Sequence, residues 1–166
     1  MSSRVGFGFD AHRLVAGRPF VLGGVEIPYE RGPLGHSDGD VLAHALADAI
    51  LGACALGDLG AHFPDSDPQW KGANSMGLLE ACARMAREAG YELRNVDATV
   101  VVEAPKLAPH LEAVRLRVSR ALRIDLDAVS VKAKTSEGMG YTGDGSGIAA
   151  HAVAALTRSG EGHDET

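Results

Sequence analysis

Leu34-Gly35-His36-Ser37-Asp38-Gly39-Asp40-Val41-Leu42-Ala43-His44-Ala45-Leu46-Ala47-Asp48 carries a turn and then a helix around which the rest of the chain can be placed. Gly35, Ser37, Asp38 and Gly39 read as a turn, and Ser37 or Asp38 can cap the helix that follows. From there Val41, Leu42, Ala45, Leu46, Ala49, Ile50 and Ala53 fall on one helical face, which must be buried against another layer. Asp40, His44 and Asp48 recur every four residues as a stripe on the opposite side. A solvated helix face accounts for most such stripes, and Asp38 and Asp40 can be helix caps only. This helix, however, opens from a glycine-rich turn that carries a second histidine, and its N-terminal dipole favours an anion. Asp48 lies one turn beyond His44 and can orient its ring.

Outward from this helix, strand-like stretches lie near 5–10, 20–22, 25–27, 97–103 and 129–135, and helix-like ones near 40–55, 75–89, 109–122 and 148–158. Gly57 and Gly90 mark stops, while Asn74 or Ser75 and Pro109 mark starts. The alternation predicts an α+β fold, a single mixed sheet with helices packed on one face. One domain covers 1–158, and a polar tail over 159–166 is expected to fray. Ala98-Thr99-Val100-Val101-Val102 is apolar on both faces, which suggests that a partner chain covers one of them.

Asp10-Ala11-His12 ends the first apolar segment. On an extended strand these two side chains point the same way, and His44 can close the set from the helix. One carboxylate and two imidazoles suit Zn²⁺ with a fourth position left open. Satisfying a turn is the plain alternative for a short Asp-x-His.

A third cluster runs from Val131 to Gly147, where an alternating strand ends in Lys134, Thr135 and Glu137 and enters a loop with five glycines. Gly138-x-Gly140-x-x-Gly143 matches a dinucleotide fingerprint in form only, since no helix, strand and acidic residue follow in the required order. No Gly-Lys-Ser/Thr closes a Walker A loop either. The glycines fit a phosphate, a neighbouring subunit or a purely structural loop.

The chain of 166 residues is long enough for a substantial core, and 45% hydrophobic with 23% charged residues belongs to a soluble globular protein. No segment approaches the roughly 20 apolar residues of a membrane span. Met1-Ser2-Ser3-Arg4 leads directly into strand-like sequence, so no cleavable signal is expected. Cys54 and Cys82 sit in helical apolar patterns, as buried thiols of a reducing cytoplasm would. A net charge of −6 argues against general nucleic-acid binding.

Gly8-Phe9-Asp10-x-His12, Ile27-Pro28-Tyr29-Glu30, His36-Ser37-Asp38-Gly39-Asp40-Val41, Ala55-Leu56-Gly57-Asp58-Leu59-Gly60 and Phe63-Pro64-Asp65-x-Asp67-Pro68 occur in that order. Asn95-Val96-Asp97, Glu103-Ala104-Pro105-Lys106-x-x-Pro109-His110 and Lys134-Thr135-x-Glu137 follow. Together, over about residues 4 to 157, they resemble the 2-C-methyl-D-erythritol 2,4-cyclodiphosphate synthases of the non-mevalonate isoprenoid pathway. The resemblance implies a cytoplasmic homotrimer with sheets toward the centre and active sites between subunits. It also implies an intramolecular phosphoryl transfer: the 2-phosphate of 4-diphosphocytidyl-2-C-methyl-D-erythritol 2-phosphate attacks the β-phosphorus and CMP leaves.

By the same resemblance Asp10, His12 and His44 hold Zn²⁺, Glu137 holds Mg²⁺ or Mn²⁺, and His36 and Thr135 stabilise the transition state. Asp10, His12, His36 and Ser37 touch substrate, as do Asp58, Leu59 and Gly60 at the erythritol. Phe63, Pro64, Asp65, Ser66 and Asp67 form a closing loop. The cytidine pocket is implied for Val102, Glu103, Ala104, Pro105, Lys106, Leu107 and Ala108, with Lys134, Thr135, Ser136 and Glu137. Tyr141 stands where many members carry Phe, and Asp144 where many carry Arg beside a trimer cavity that can hold isoprenoid diphosphates. An acidic residue there is expected to repel a diphosphate.

Two other readings stay open. One is a catalytically silent trimer that binds cytidine nucleotides, and the other a metal-dependent phosphohydrolase using Asp48 or Asp65 as base. His62, His110 and His151 read as ordinary histidines, Lys106 as solvated charge, and Trp70 as loop packing.

Overall fold

The computed structural model describes residues 2–160. Its elements are β1 (Ser3–Ala16), β2 (Phe20–Leu22), β3 (Val25–Ile27), β4 (Arg31–Pro33), α1 (Val41–Ala53), α2 (Leu59–His62), α3 (Ser75–Glu88), β5 (Tyr91–Val101), α4 (Leu111–Leu122), β6 (Val129–Lys134), α5 (Gly140–Gly143) and β7 (Gly147–Arg158). A five-stranded mixed sheet runs in the order β4-β1-β7-β5-β6. Only the β5–β6 pair is parallel among its four pairings. The expected single sheet needs a correction, because β2 and β3 form a separate hairpin. Gly23 and Gly24 both take positive φ at its tip, which a two-residue hairpin turn with the strands' twist requires.

The core lies between the sheet and the helices. α1 is buried along nearly its whole length, with Leu42, Leu46, Ile50 and Leu51 fully enclosed. Each such side chain contributes roughly 1.5–3 kcal/mol of apolar transfer. On β1, alternation places Gly6 and Gly8 under α1 and turns Val5, Phe7 and Phe9 to the other face, where Phe7 is 62% exposed. A Cβ on Gly6 would fall 1.8 Å from Ala49 O, and one on Gly8 1.8 Å from Ala45 O. The helix backbone therefore rests directly on the strand.

The helix expected over 148–158 is strand β7, the partner of both β1 and β5. Its alanines gave it a helical composition, since Ala is the best intrinsic helix former. Ala150, Ala152 and Ala154 are all buried, and Ala152 and Ala154 pair across from Gly8 and Gly6. Small side chains at alternate positions extend the floor that lets α1 approach. Tertiary packing thus overrides propensity.

Other expectations hold with shifted bounds: the 97–103 strand starts earlier and stops at Val101, the 5–10 strand extends to Ser3–Ala16, and the helices near 40–55, 75–89 and 109–122 are one to three residues shorter. Asn74 caps α3 by accepting from Met76 N–H. In the 159–166 tail, Ser159 N–H donates to Gly90 O, and 161–166 lie outside the described residues. Cys54 and Cys82 are buried free thiols, and burial pushes the Cys82 thiol up to about 12. Among the described residues no helix is long and apolar enough to cross a membrane.

Asp40 joins the hairpin to α1. Its Oδ1 accepts from Ala43 N–H at 3.1 Å and Gly23 N–H at 2.9 Å, and its Oδ2 accepts from Gly24 N–H at 2.8 Å. The carboxyl is fully buried, and burial raises its pKa against the pull of those three donors. Asp40→Ala would remove a helix cap and strand two further N–H groups. We expect a loss of about 3 kcal/mol, read as a lower urea midpoint with an unchanged m-value.

Candidate metal centre and active site

β1 and α1 meet where the small-residue floor ends. Asp10 lies two residues beyond Gly8 on the same face, and His44 immediately precedes Ala45, whose carbonyl rests on Gly8. Close packing therefore brings His44 Nδ1 to 2.9 Å from Asp10 Oδ2, and His12 Nε2 to 2.8 Å from the same oxygen. The two imidazole nitrogens are 3.4 Å apart. Donor atoms about 2.0–2.1 Å from a tetrahedral ion are spaced by roughly 3.3 Å, so a small opening of this cluster suits zinc. Among the described residues this is the one Asp/His/Cys/Glu group compact enough to hold a metal ion.

Charge supports the geometry. Burial alone would raise the Asp10 carboxyl, but bonds from His12 and His44 prevail and hold it at about 2. Burial lowers the His44 pKa, but the bond and charge of Asp10 together with the charges of Asp40 and Asp38 outweigh it, and the net shift is upward. A divalent cation would replace the proton that this group otherwise shares.

The ring of His44 is oriented by Ser75, which the sequence marked only as a possible helix start, and by Ser37, read there as a cap and substrate contact. Its Nε2 lies 2.8 Å from Ser75 Oγ and 3.1 Å from Ser37 Oγ. Ser75 Oγ donates in turn to Asp38 Oδ1, and Ser75 N–H donates to Asp38 Oδ2 at 3.0 Å. Asp48, expected to orient His44, does not. Both ring nitrogens are engaged elsewhere, and Asp48 Oδ1 accepts from Leu59 N–H at 2.7 Å. The i,i+4 spacing put Asp48 near His44, yet the start of α2 supplies it with a closer donor.

The triad opens into a cavity of about 350 Å³ that also holds His36, Ser37, Asp48, Leu59, Gly60, Phe63, Pro64 and Asp65. His36 Nε2 is buried with no hydrogen-bond partner among the described residues. Trp70 also lines this cavity and packs edge-on against Phe63, with centroids 4.9 Å apart. Asp58 caps α2 through Ala61 N–H, and Asp67 caps the 3-10 turn at Pro68–Trp70. Ser66 is exposed in the same loop. His62 bonds Leu56 O and His151 packs against Phe7 and Phe9, as expected of ordinary histidines.

The second half of the expected site is elsewhere. Val102, Glu103, Pro105, Lys106, Leu107, Ala108, Lys134 and Thr135 line a separate cavity of about 190 Å³, with Ala104 in the same loop. Asp10 pairs with Ala150, Ala150 with Val100, and Val100 with Ala133, one row across the sheet. Three strand spacings put the two halves about 14 Å apart laterally. Glu137 follows Thr135 at a positive φ of 55°. Ser136, expected to touch substrate, has its hydroxyl engaged within the loop, donating to Met139 O and accepting from Thr142. Tyr141 lines a third cavity, of about 560 Å³, with Arg13, Arg31 and Ser146. The carboxylate of Asp144 accepts from Ser146 N–H nearby.

Known proteins share this architecture. The model of the YgbB family matches residues 3–157. The chain is 56% identical over 158 residues to the 2-C-methyl-D-erythritol 2,4-cyclodiphosphate synthase of Burkholderia thailandensis, covering 95% of this chain and 98% of that one. A solved 2C-methyl-D-erythritol-2,4-cyclodiphosphate synthase in a CDP-bound form matches with a TM-score of 0.86 at 42% identity, covering 93% of this chain and 100% of that one. The bifunctional IspDF of Campylobacter jejuni matches with a TM-score of 0.91 at 42% identity; 95% of this chain is covered but only 42% of that longer one. With helix α1 seated on a glycine floor, the Asp-His-His triad at its end and a family match across nearly all its length, this chain belongs to the YgbB family.

Proposed function

We propose that the protein converts 4-diphosphocytidyl-2-C-methyl-D-erythritol 2-phosphate into 2-C-methyl-D-erythritol 2,4-cyclodiphosphate and CMP, acting as a phosphorus–oxygen lyase in isoprenoid-precursor synthesis. The observation that carries this is the Asp10–His12–His44 donor triad opening into a cavity with His36 and Ser37. The nucleophile belongs to the substrate, so the protein has only to position two phosphates and neutralise charge. Asp10, His12 and His44 would hold Zn²⁺. Glu137 would hold Mg²⁺ or Mn²⁺ as a lone carboxylate, the phosphates supplying further oxygens. Bound ions of this kind would polarise phosphoryl oxygens and neutralise charge on the departing CMP phosphate.

The protein's own groups do the remaining work. His36 lines the cavity, so its ring can donate to a phosphoryl oxygen, and the Thr135 hydroxyl can donate from the other side. Phe63 and Pro64 wall the cavity against water. Val102 to Ala108 offer backbone groups that can read a cytosine edge. Since the two half-sites lie about 14 Å apart on one chain, a homotrimer would join them, bringing the β6 end of one copy to the β1 edge of the next. The apolar face carrying Val5, Phe7, Phe9 and Val153 supports such packing.

³¹P NMR with the diphosphocytidyl substrate and Mg²⁺ tests the reaction. Cyclic-diphosphate resonances with stoichiometric CMP, lost when a zinc-selective chelator is added at constant Mg²⁺, are the expected result. Inorganic phosphate would make the protein a hydrolase, and an unchanged spectrum a binding module. The exposed Asp144 stays ionised, its pKa lowered by bonds from Ser146. We therefore expect geranyl diphosphate to bind weakly, and tight calorimetric binding to the trimer would refute that.

A further inference from the structure

We infer that Asp38 and Ser75 are positioning residues for the metal ligand His44, an inference resting on the metal-centre reading above. For Nδ1 of His44 to offer a lone pair toward Asp10 and His12, the ring proton must sit on Nε2. Ser75 Oγ, 2.8 Å away, is the nearest partner of Nε2. A hydroxyl could donate or accept, and Asp38 decides which. Its carboxylate can only accept, and it takes the single Ser75 O–H. Ser75 Oγ then faces His44 with lone pairs alone, so Nε2–H donates and Nδ1 is left free for a cation.

The arrangement is rigid. Ser75 is 1% exposed at the start of α3. Its own N–H donates to Asp38 Oδ2 at 3.0 Å, and Asp40 N–H donates to Asp38 Oδ1 at 3.1 Å. Two helix starts thus hold one ligand ring, and outer-shell bonds of this kind govern both tautomer and metal affinity. A purely structural role at the start of α3 is the competing explanation. That helix, however, is already capped by Asn74, which accepts from Met76 N–H at 2.9 Å. Ser37 Oγ, at 3.1 Å from Nε2, is a second and longer contact that also accepts from Gly39 N–H.

Zinc affinity, measured by chelator competition on Ser75→Ala, Asp38→Asn and the double variant, tests the relay. Thermal midpoints of the zinc-free proteins report any loss of fold separately. Ser75→Ala is expected to weaken zinc about 10- to 100-fold. Asp38→Asn should weaken it about tenfold alone but by less than about twofold in the Ser75→Ala background, because it acts through the serine. Parent-like zinc affinity in Ser75→Ala would overturn the inference. So would an Asp38→Asn effect that persists without the hydroxyl, or a parent that binds no zinc. Cyclisation is read independently. A relay that behaves as expected in a chain forming no cyclic product would stand while the proposed reaction fell.

Discussion

Gly8→Ala is expected to cost about 3 kcal/mol or more, a large share of a typical domain's 5–15 kcal/mol. The added methyl would meet Ala45 O at 1.8 Å and Ala49 N at 2.8 Å, both backbone atoms of α1. No rotamer change can relieve such a clash, so the helix must move off the sheet. The helix, with Leu42, Leu46 and Ile50 all fully buried, would then lose part of its packing on β1 and β7. Since His44 rides on the same helix, its 2.9 Å approach to Asp10 would open as well. Urea unfolding of the zinc-free protein measures the loss. Gly52→Ala is the control. It lies on the same helix, and a Cβ there would meet nothing outside the helix nearer than Phe7 O at 3.9 Å, so it should be neutral or stabilising by about 0.5–1 kcal/mol. Equal destabilisation of the two would mean that the floor under α1 does not set its position.

His44→Ala is expected to lower kcat/KM at least about 10³-fold, corresponding to roughly 4 kcal/mol of lost transition-state stabilisation. The variant removes one of three donors and leaves Asp10 and His12 with a weaker, two-point hold. Bound zinc per protomer should fall with the activity, while the unfolding midpoint of the zinc-free form changes far less. The ring is only 14% exposed, but it lines the cavity wall rather than the apolar core. His36→Ala supplies the contrast. His36 is no member of the triad, so zinc should remain bound while turnover drops by roughly 10²–10³-fold, as for loss of one preorganised donor. Retained zinc and turnover in His44→Ala would remove the proposed centre.

Much of this was legible because it is local. Asp10 and His12 share a strand face by simple alternation, and the apolar face of α1 follows from helical spacing. The order of motifs carried the family. What stayed hidden depends on contacts between distant residues. Ile148 to Arg158 read as a helix since alanine favours one, and it became a strand because α1 needs small residues beneath it. Asp48 stood at the helical spacing for His44, yet Ser75, 31 residues away in the chain, holds the ring. Nothing near Ser75 in the sequence marks it as a partner, for its neighbours describe only a helix start.

Residue identities alone set which chemistry is available: one carboxylate and two imidazoles for a borderline cation, and an additional histidine and hydroxyls for phosphate. Side-chain identity carries those properties wherever the residues lie. The tertiary structure alone decided which groups meet. Glycines and alanines on adjoining strands set how far α1 can descend, and that height places His44 against Asp10 while β7 and β5 keep Thr135 away on the far strand. Distance is a property of packing, and packing is settled by residues that take no part in the chemistry.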